Sequence, residues 1–225
     1  MQQKSFIKIL TLIICLFLAI NLVACNKEIP KTIGVPLPGW IVIKGEGVTL
    51  FLPQSFVGGN PGRDLDKITE QLKAIDPSYE QKILGITQNP TAIALLAFDT
   101  QNNKDLANNN SSSTINIPTL TNINITSQVI PKDATMISLV EKSSQQIAKS
   151  YQISEQKVIN IKQGEIGQII AMIPNVNPPI KQLFYLVPSV DQKKVWLVTY
   201  TTTSKEFDRL LPMFRESIET LQILA

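Results

Sequence analysis

The chain has no histidine among its 225 residues, only two cysteines, and charges that nearly cancel, 21 Lys+Arg against 18 Asp+Glu. Each shortage excludes something. Without histidine there is no imidazole acid/base catalyst, and most zinc and haem sites are ruled out. Two cysteines alone build neither a zinc site nor an iron–sulfur cluster. The even charge is wrong for a nucleic-acid binder that works by bulk electrostatics, so no nucleic acid is expected as a partner. No apolar run reaches the roughly 20 residues of a membrane-spanning helix. No internal repeat is visible either.

What is present begins at the N-terminus. Lys4 and Lys8 precede Ile9 to Ile20, a run that is apolar except for Thr11. Asn21 ends the run, and Leu22-Val23-Ala24-Cys25 follows. A charged start, a short apolar stretch and a small residue make a secretory signal peptide, residues 1–24. Leu22-Val23-Ala24-Cys25 resembles the bacterial lipobox. That resemblance implies a diacylglyceryl thioether on Cys25, cleavage before it, and acylation of the freed amine. One acyl chain holds a membrane marginally, whereas two or more anchor durably. Cleavage removes Lys4, Lys8 and Cys15 and no acid, leaving 19 basic side chains against 18 acidic ones. The exported domain would then have no free thiol, no disulfide and no histidine, so packing alone must stabilise it.

Residues 25–39 read as the lipidated cysteine and a tether, proline-rich and without periodicity. Residues 40–225 form one globular domain. Within it, 101–116 (QNNKDLANNNSSSTIN) is too polar to pack and reads as a flexible surface loop.

Alternation and β-branched runs predict strands at Trp40–Ile43, Val48–Leu52, Ala92–Phe98 (a central strand), Asn122–Ile130, Val158–Ile161, Ile166–Ile173, Leu183–Val187 and Val195–Tyr200. Tight turns at Lys44–Gly47, Lys162–Glu165 and Pro188–Lys194 join three pairs as hairpins. Helical spacing predicts three helices. Leu65, Ile68, Leu72 and Ile75 follow a cap at Asp64. Met136, Leu139, Val140, Ile147 and Tyr151 follow a cap at Asp133. Phe207, Leu210, Leu211, Phe214, Ile218 and Leu221 follow a cap at Ser204. Pro212 either kinks this last helix or starts a new one. Hairpins imply a mainly antiparallel sheet, and amphipathic helices must cover it. The expected fold is α+β, an α/β/α sandwich with a central, mainly antiparallel sheet.

Gly45-Glu-Gly47-Val-Thr-Leu-Phe-Leu-Pro53-Gln-Ser-Phe56 is similar to the opening hairpin of PsbP-like proteins. Trp196 to Tyr200, with Phe207 and Leu211 to Leu221, resembles that family's closing strand and helix. Gly58 to Leu65 and Leu120 to Ile125 resemble segments of cyanobacterial lipoproteins of the same group. The resemblance implies an α/β/α sandwich and a non-enzymatic accessory or assembly role at a photosynthetic membrane, facing the periplasm or thylakoid lumen. The chain departs from plant-type members by having no histidine and by carrying the 101–116 stretch. No histidine-based metal role carries over.

Few residues stand out as sites. Gly58, Gly59, Asn60 and Arg63 form a glycine-rich turn before a helix, a candidate contact for an anion or partner. The plainer reading is backbone geometry and a cap, with Asp64 repelling anions. Trp40 and Trp196 are candidate ligand platforms, but the alternation around Trp196 predicts core packing. Glu141, Glu155, Glu165 and Asp191 share no motif spacing that points to paired acid/base work or a cation. Ser143-Ser144 beside Lys142 imitates a Ser/Lys catalyst, yet adjacent helical residues do not face each other. Thr199 to Ser204 can contact a partner, or simply end a strand and cap a helix. No catalytic residue, metal or cofactor is expected. The favoured function is a lipid-anchored extracytoplasmic binding or assembly module, its partner a membrane protein complex. The alternative is a carrier of a small molecule or lipid in a cleft between sheet and helices.

Overall fold

The computed structural model describes residues 36–74, 77, 83, 92–101 and 121–224. The signal peptide, Cys25, most of the tether, Ile75 and all but the first residue of the 101–116 stretch lie outside them. Among the described residues, ten strands and three helices follow in chain order. They are β1 (Trp40–Lys44), β2 (Val48–Pro53), β3 (Phe56–Gly59), α1 (Pro61–Lys73), β4 (Ile93–Asp99), β5 (Asn122–Val129), α2 (Met136–Ile147), β6 (Gln152–Ile161), β7 (Gly164–Ile173), β8 (Ile180–Pro188), β9 (Lys194–Thr203), α3 (Ser204–Ile218) and β10 (Gln222–Ile223).

Among the described residues these strands form two antiparallel sheets. The larger has the order β3-β4-β5-β9-β8-β7-β6, and the smaller is β1-β2-β10. Helices lie on both faces of the large sheet, so the α+β sandwich read from the pattern is the observed fold. Alternation sorts the side chains. On one face Leu95, Ala97, Ile123, Ile125, Val198 and Tyr200 pack beneath α3 and the small sheet. On the other, α2 covers Ile169, Ala171, Phe184 and Leu186, and Ile68 and Leu72 of α1 cover Leu96 and Phe98. β4 is one strand in from the edge, and β9 is the middle strand.

Several boundaries differ from expectation for physical reasons. β3 was not anticipated, because Phe56-Val-Gly-Gly has too few side chains to show a period. β6 begins at Gln152, six residues before Val158. It is an edge strand with no fully buried residue, so its polar first half carries no hydrophobic signal. Thr135 caps α2 in place of Asp133, its side chain accepting from the Ser138 amide. Thr203 caps α3 in place of Ser204, accepting from the Glu206 amide. α3 runs through Pro212 without ending. Pro212 is exposed, so the missing backbone bond faces solvent. Phe207, Leu210, Phe214 and Ile218 hold the helix down from both sides of it.

The tether's last residues are tied to the domain. The Trp40 amide donates to the Leu37 carbonyl, and the Gln54 amide to the Gly39 carbonyl. Among the described residues, no helix is long and apolar enough to cross a membrane.

Candidate functional site

The glycine-rich turn is built by three elements. Gly58 and Gly59 end β3, paired with Ala97 and Leu96 of β4. A Cβ on Gly58 would stand 2.4 Å from the Leu96 carbonyl oxygen, and one on Gly59 2.8 Å from Asp64 Oδ2. Glycine is needed at both positions for close approach, while their backbone belongs to a strand.

Asn60 is the N-cap of α1, displacing the expected Asp64. Its Oδ1 accepts from the Gly62 amide at 2.8 Å, and Pro61 follows as the first helical residue, where a missing N–H costs nothing. Asp64 lies one turn in and reaches back, Oδ2 accepting from the Asn60 amide at 3.0 Å. The Asp64 amide in turn donates to the Asn60 backbone carbonyl at 2.7 Å, so the two residues are bonded in both directions across the first turn. Asn60 Nδ2 donates to Glu46 Oε2 at 2.9 Å, which links the helix start to the β1–β2 turn. The Glu46 amide in turn donates to the carbonyl of Ala94, near the start of β4.

Arg63 lies over this start, its Nε and one terminal nitrogen each 3.2 Å from an Asp64 carboxylate oxygen. The guanidinium hydrogen bond holds the Asp64 carboxyl below its ordinary range. Arg63 remains 65% exposed. Gly58, Gly59, Asn60 and Arg63 are therefore brought together, with Asn60 turned inward at 8% exposure and Arg63 outward. Two carboxylates, Glu46 and Asp64, share the end of the helix. Chemically the arrangement is a cap with one solvent-facing guanidinium.

The remaining candidates are dispersed. Trp196 is 8% exposed and packs in the core beneath α3 and the small sheet, as its alternation predicts. Trp40 is half-buried at the start of β1. Glu141 and Glu165 are exposed, Glu155 pairs with Lys157 along β6, and Asp191 accepts from Ser189 Oγ in the β8–β9 turn. Ser144 is buried and Lys142 exposed, so they point apart. The threonine run is used internally. Thr201 Oγ1 accepts from Gln182, Thr202 bonds Thr121, and Thr203 caps α3. Among the described residues, no three His, Cys, Asp or Glu side chains stand close enough to hold a metal ion.

Sequence reasoning missed a buried aromatic cluster. Tyr185 and Tyr200 meet edge-on at 5.9 Å, and Phe214 lies 4.7 Å from Tyr200. Tyr200 shares a hydrogen bond with Ser217 at 3.1 Å, both fully buried. Burial pushes the Tyr185 hydroxyl up to about 12 and the Tyr200 hydroxyl higher still. Their alternation with Leu183 and Val198 was the available signal. The Tyr–Ser bond spans strand and helix, and no local pattern announces it.

No protein-family model matches the sequence, and no curated protein does either. Solved structures do. Cyanobacterial PsbP from Synechocystis sp. PCC 6803 is similar over 84% of this chain and 95% of its own, with 10% identity and a TM-score of 0.48. The Ran-binding protein Mog1p of Saccharomyces cerevisiae covers 82% of this chain and 96% of its own, at 7% identity and 0.48. LpqN of Mycobacterium tuberculosis, involved in cell envelope biogenesis, covers 79% and 83%, at 9% identity and 0.48.

Proposed function

We propose that the protein is a non-catalytic binding or assembly module, held by lipid on Cys25 at the outer side of a membrane and serving a membrane protein complex there. One observation carries this reading: Cys25 follows directly on Leu22-Val23-Ala24 at the end of a short apolar stretch. The rest of the molecule is consistent in character. Its distinctive polar groups are spent on capping helices and crossing from strand to strand, and its perturbed hydroxyls are buried in the core. Residues 26–39 would reach at most about 50 Å when extended, so the domain would work within that distance of the bilayer. A photosynthetic complex is the first partner to test, because the Gly45–Phe56 and Trp196–Leu221 segments resemble PsbP-like proteins.

The test is affinity capture of the native, C-terminally tagged protein from detergent-solubilised membranes. A membrane protein complex recovered with the tagged chain and lost with Cys25→Ser is the expected result. Recovery of nothing above background would remove the assembly role.

A further inference from the structure

We propose that β6 is a self-association edge, pairing antiparallel with β6 of a second copy about a two-fold axis at Gln156. β6 is the last strand of the large sheet and pairs with β7 alone among the described residues. At ten residues it is long for an exposed edge. Its turn to β7 has two residues, with Ile161 and Gly164 as the closing pair. By the alternation of an antiparallel ladder, Ile161, Ile159, Lys157 and Glu155 then exchange backbone bonds with β7. Gln156, Val158 and Asn160 turn theirs to the free edge.

The register follows from charge. Glu155 and Lys157 lie on the same face and form an ion pair along the strand. With the axis at Gln156, Glu155 falls opposite Lys157 of the second copy, and Lys157 opposite its Glu155. These are non-hydrogen-bonded positions, where facing side chains are closest. An axis at Lys157 stacks lysine on lysine. An axis at Val158 places Glu155 and Lys157 opposite isoleucines. Only the Gln156 axis matches both charges. Exposed ion pairs contribute little affinity, so these two select the register. The outward backbone bonds supply the attraction, since Val158 and Ile159 are partly buried against the domain's own cores. The irregularity between Ile153 and Glu155 limits how far a strand can extend along the edge, which favours one short, defined pairing over open-ended growth.

Cross-linking of the full chain tests this. Gln156 is exposed, so Gln156→Cys leaves the core untouched. At the axis the two Cα atoms would lie about 5.5 Å apart, within disulfide reach. The Gln156→Cys and Asn160→Cys chains and the unsubstituted chain are oxidised mildly with copper–phenanthroline and run on non-reducing gels. The unsubstituted chain sets the background, including any from Cys15 and Cys25 in unprocessed chain. Gln156→Cys should give several-fold more dimer than either other chain. Adding Lys157→Glu should reduce that dimer on the order of tenfold, since like charges then face each other twice. The swap Glu155→Lys with Lys157→Glu should restore it. Dimer no greater than background, equal cross-linking at Asn160→Cys, or indifference to Lys157→Glu would each overturn the pairing.

Discussion

Phe214 is the residue whose removal tests the packing most sharply. It is fully buried on α3, 4.7 Å from the Tyr200 ring and 6.4 Å from Phe207. Burying an aromatic of its size removes roughly 150–200 Å² from water, worth about 4–5 kcal/mol at ~25 cal/mol per Å². Phe214→Ala loses most of that and leaves a cavity whose walls, a sheet and a helix, cannot collapse fully. The expected cost is about 3–5 kcal/mol. Domains of this kind are stable by about 5–15 kcal/mol, so the variant sits near the threshold. Urea titration followed by tryptophan fluorescence measures it. With a slope of about 2 kcal/mol per molar, the midpoint should fall by about 2 M. Val190→Ala, in the β8–β9 turn at 81% exposure, is the control and should leave the midpoint unchanged. A Phe214→Ala shift below about 0.5 M would mean that α3 does not seal the sheet as described.

Three further outcomes follow from other parts of the molecule. Asn60→Ala removes the α1 cap and the link to Glu46, and should cost about 1–2 kcal/mol in the same urea titration. Asn60→Asp keeps the cap but adds a third carboxylate beside Glu46 and Asp64, so its deficit should shrink as pH falls towards 4. The folded-state pKa of Tyr185 is raised to about 12, above its ordinary value of 10.0. Unfolded tyrosine thus ionises first, and stability present below pH 10 is lost as pH rises towards 12. Tyr185→Phe should make that alkaline decline shallower, leaving the part that buried Tyr200 contributes, in thermal melts recorded between pH 8 and 11.5.

The parts of the fold legible in the sequence are those where burial follows a period. β8 and β9 alternate between two covered faces, and α3 repeats its apolar residues every three or four positions. Both were visible for that reason. β3 was not, since two of its four residues are glycines whose requirement lies in Leu96, Ala97 and Asp64, all distant or out of register. The polar first half of β6 was missed because an edge strand has little burial to display. The caps moved by one to four residues because Asn60, Thr135 and Thr203 each compete with a neighbouring acid or serine. Backbone geometry decides which one the helix uses. At the candidate site, composition identified the turn and the exposed arginine. The Glu46–Asn60 bond could not be read from the chain, because two separate turns meet there.

The central claim is that lipid on Cys25 holds the domain to a membrane. Mass spectrometry of the N-terminal peptide of the mature protein, purified from membranes in detergent, tests it most directly. A peptide beginning at Cys25 and carrying a diacylglyceryl thioether is the predicted result. A mature chain beginning at another residue, or at an unmodified Cys25, would contradict the account.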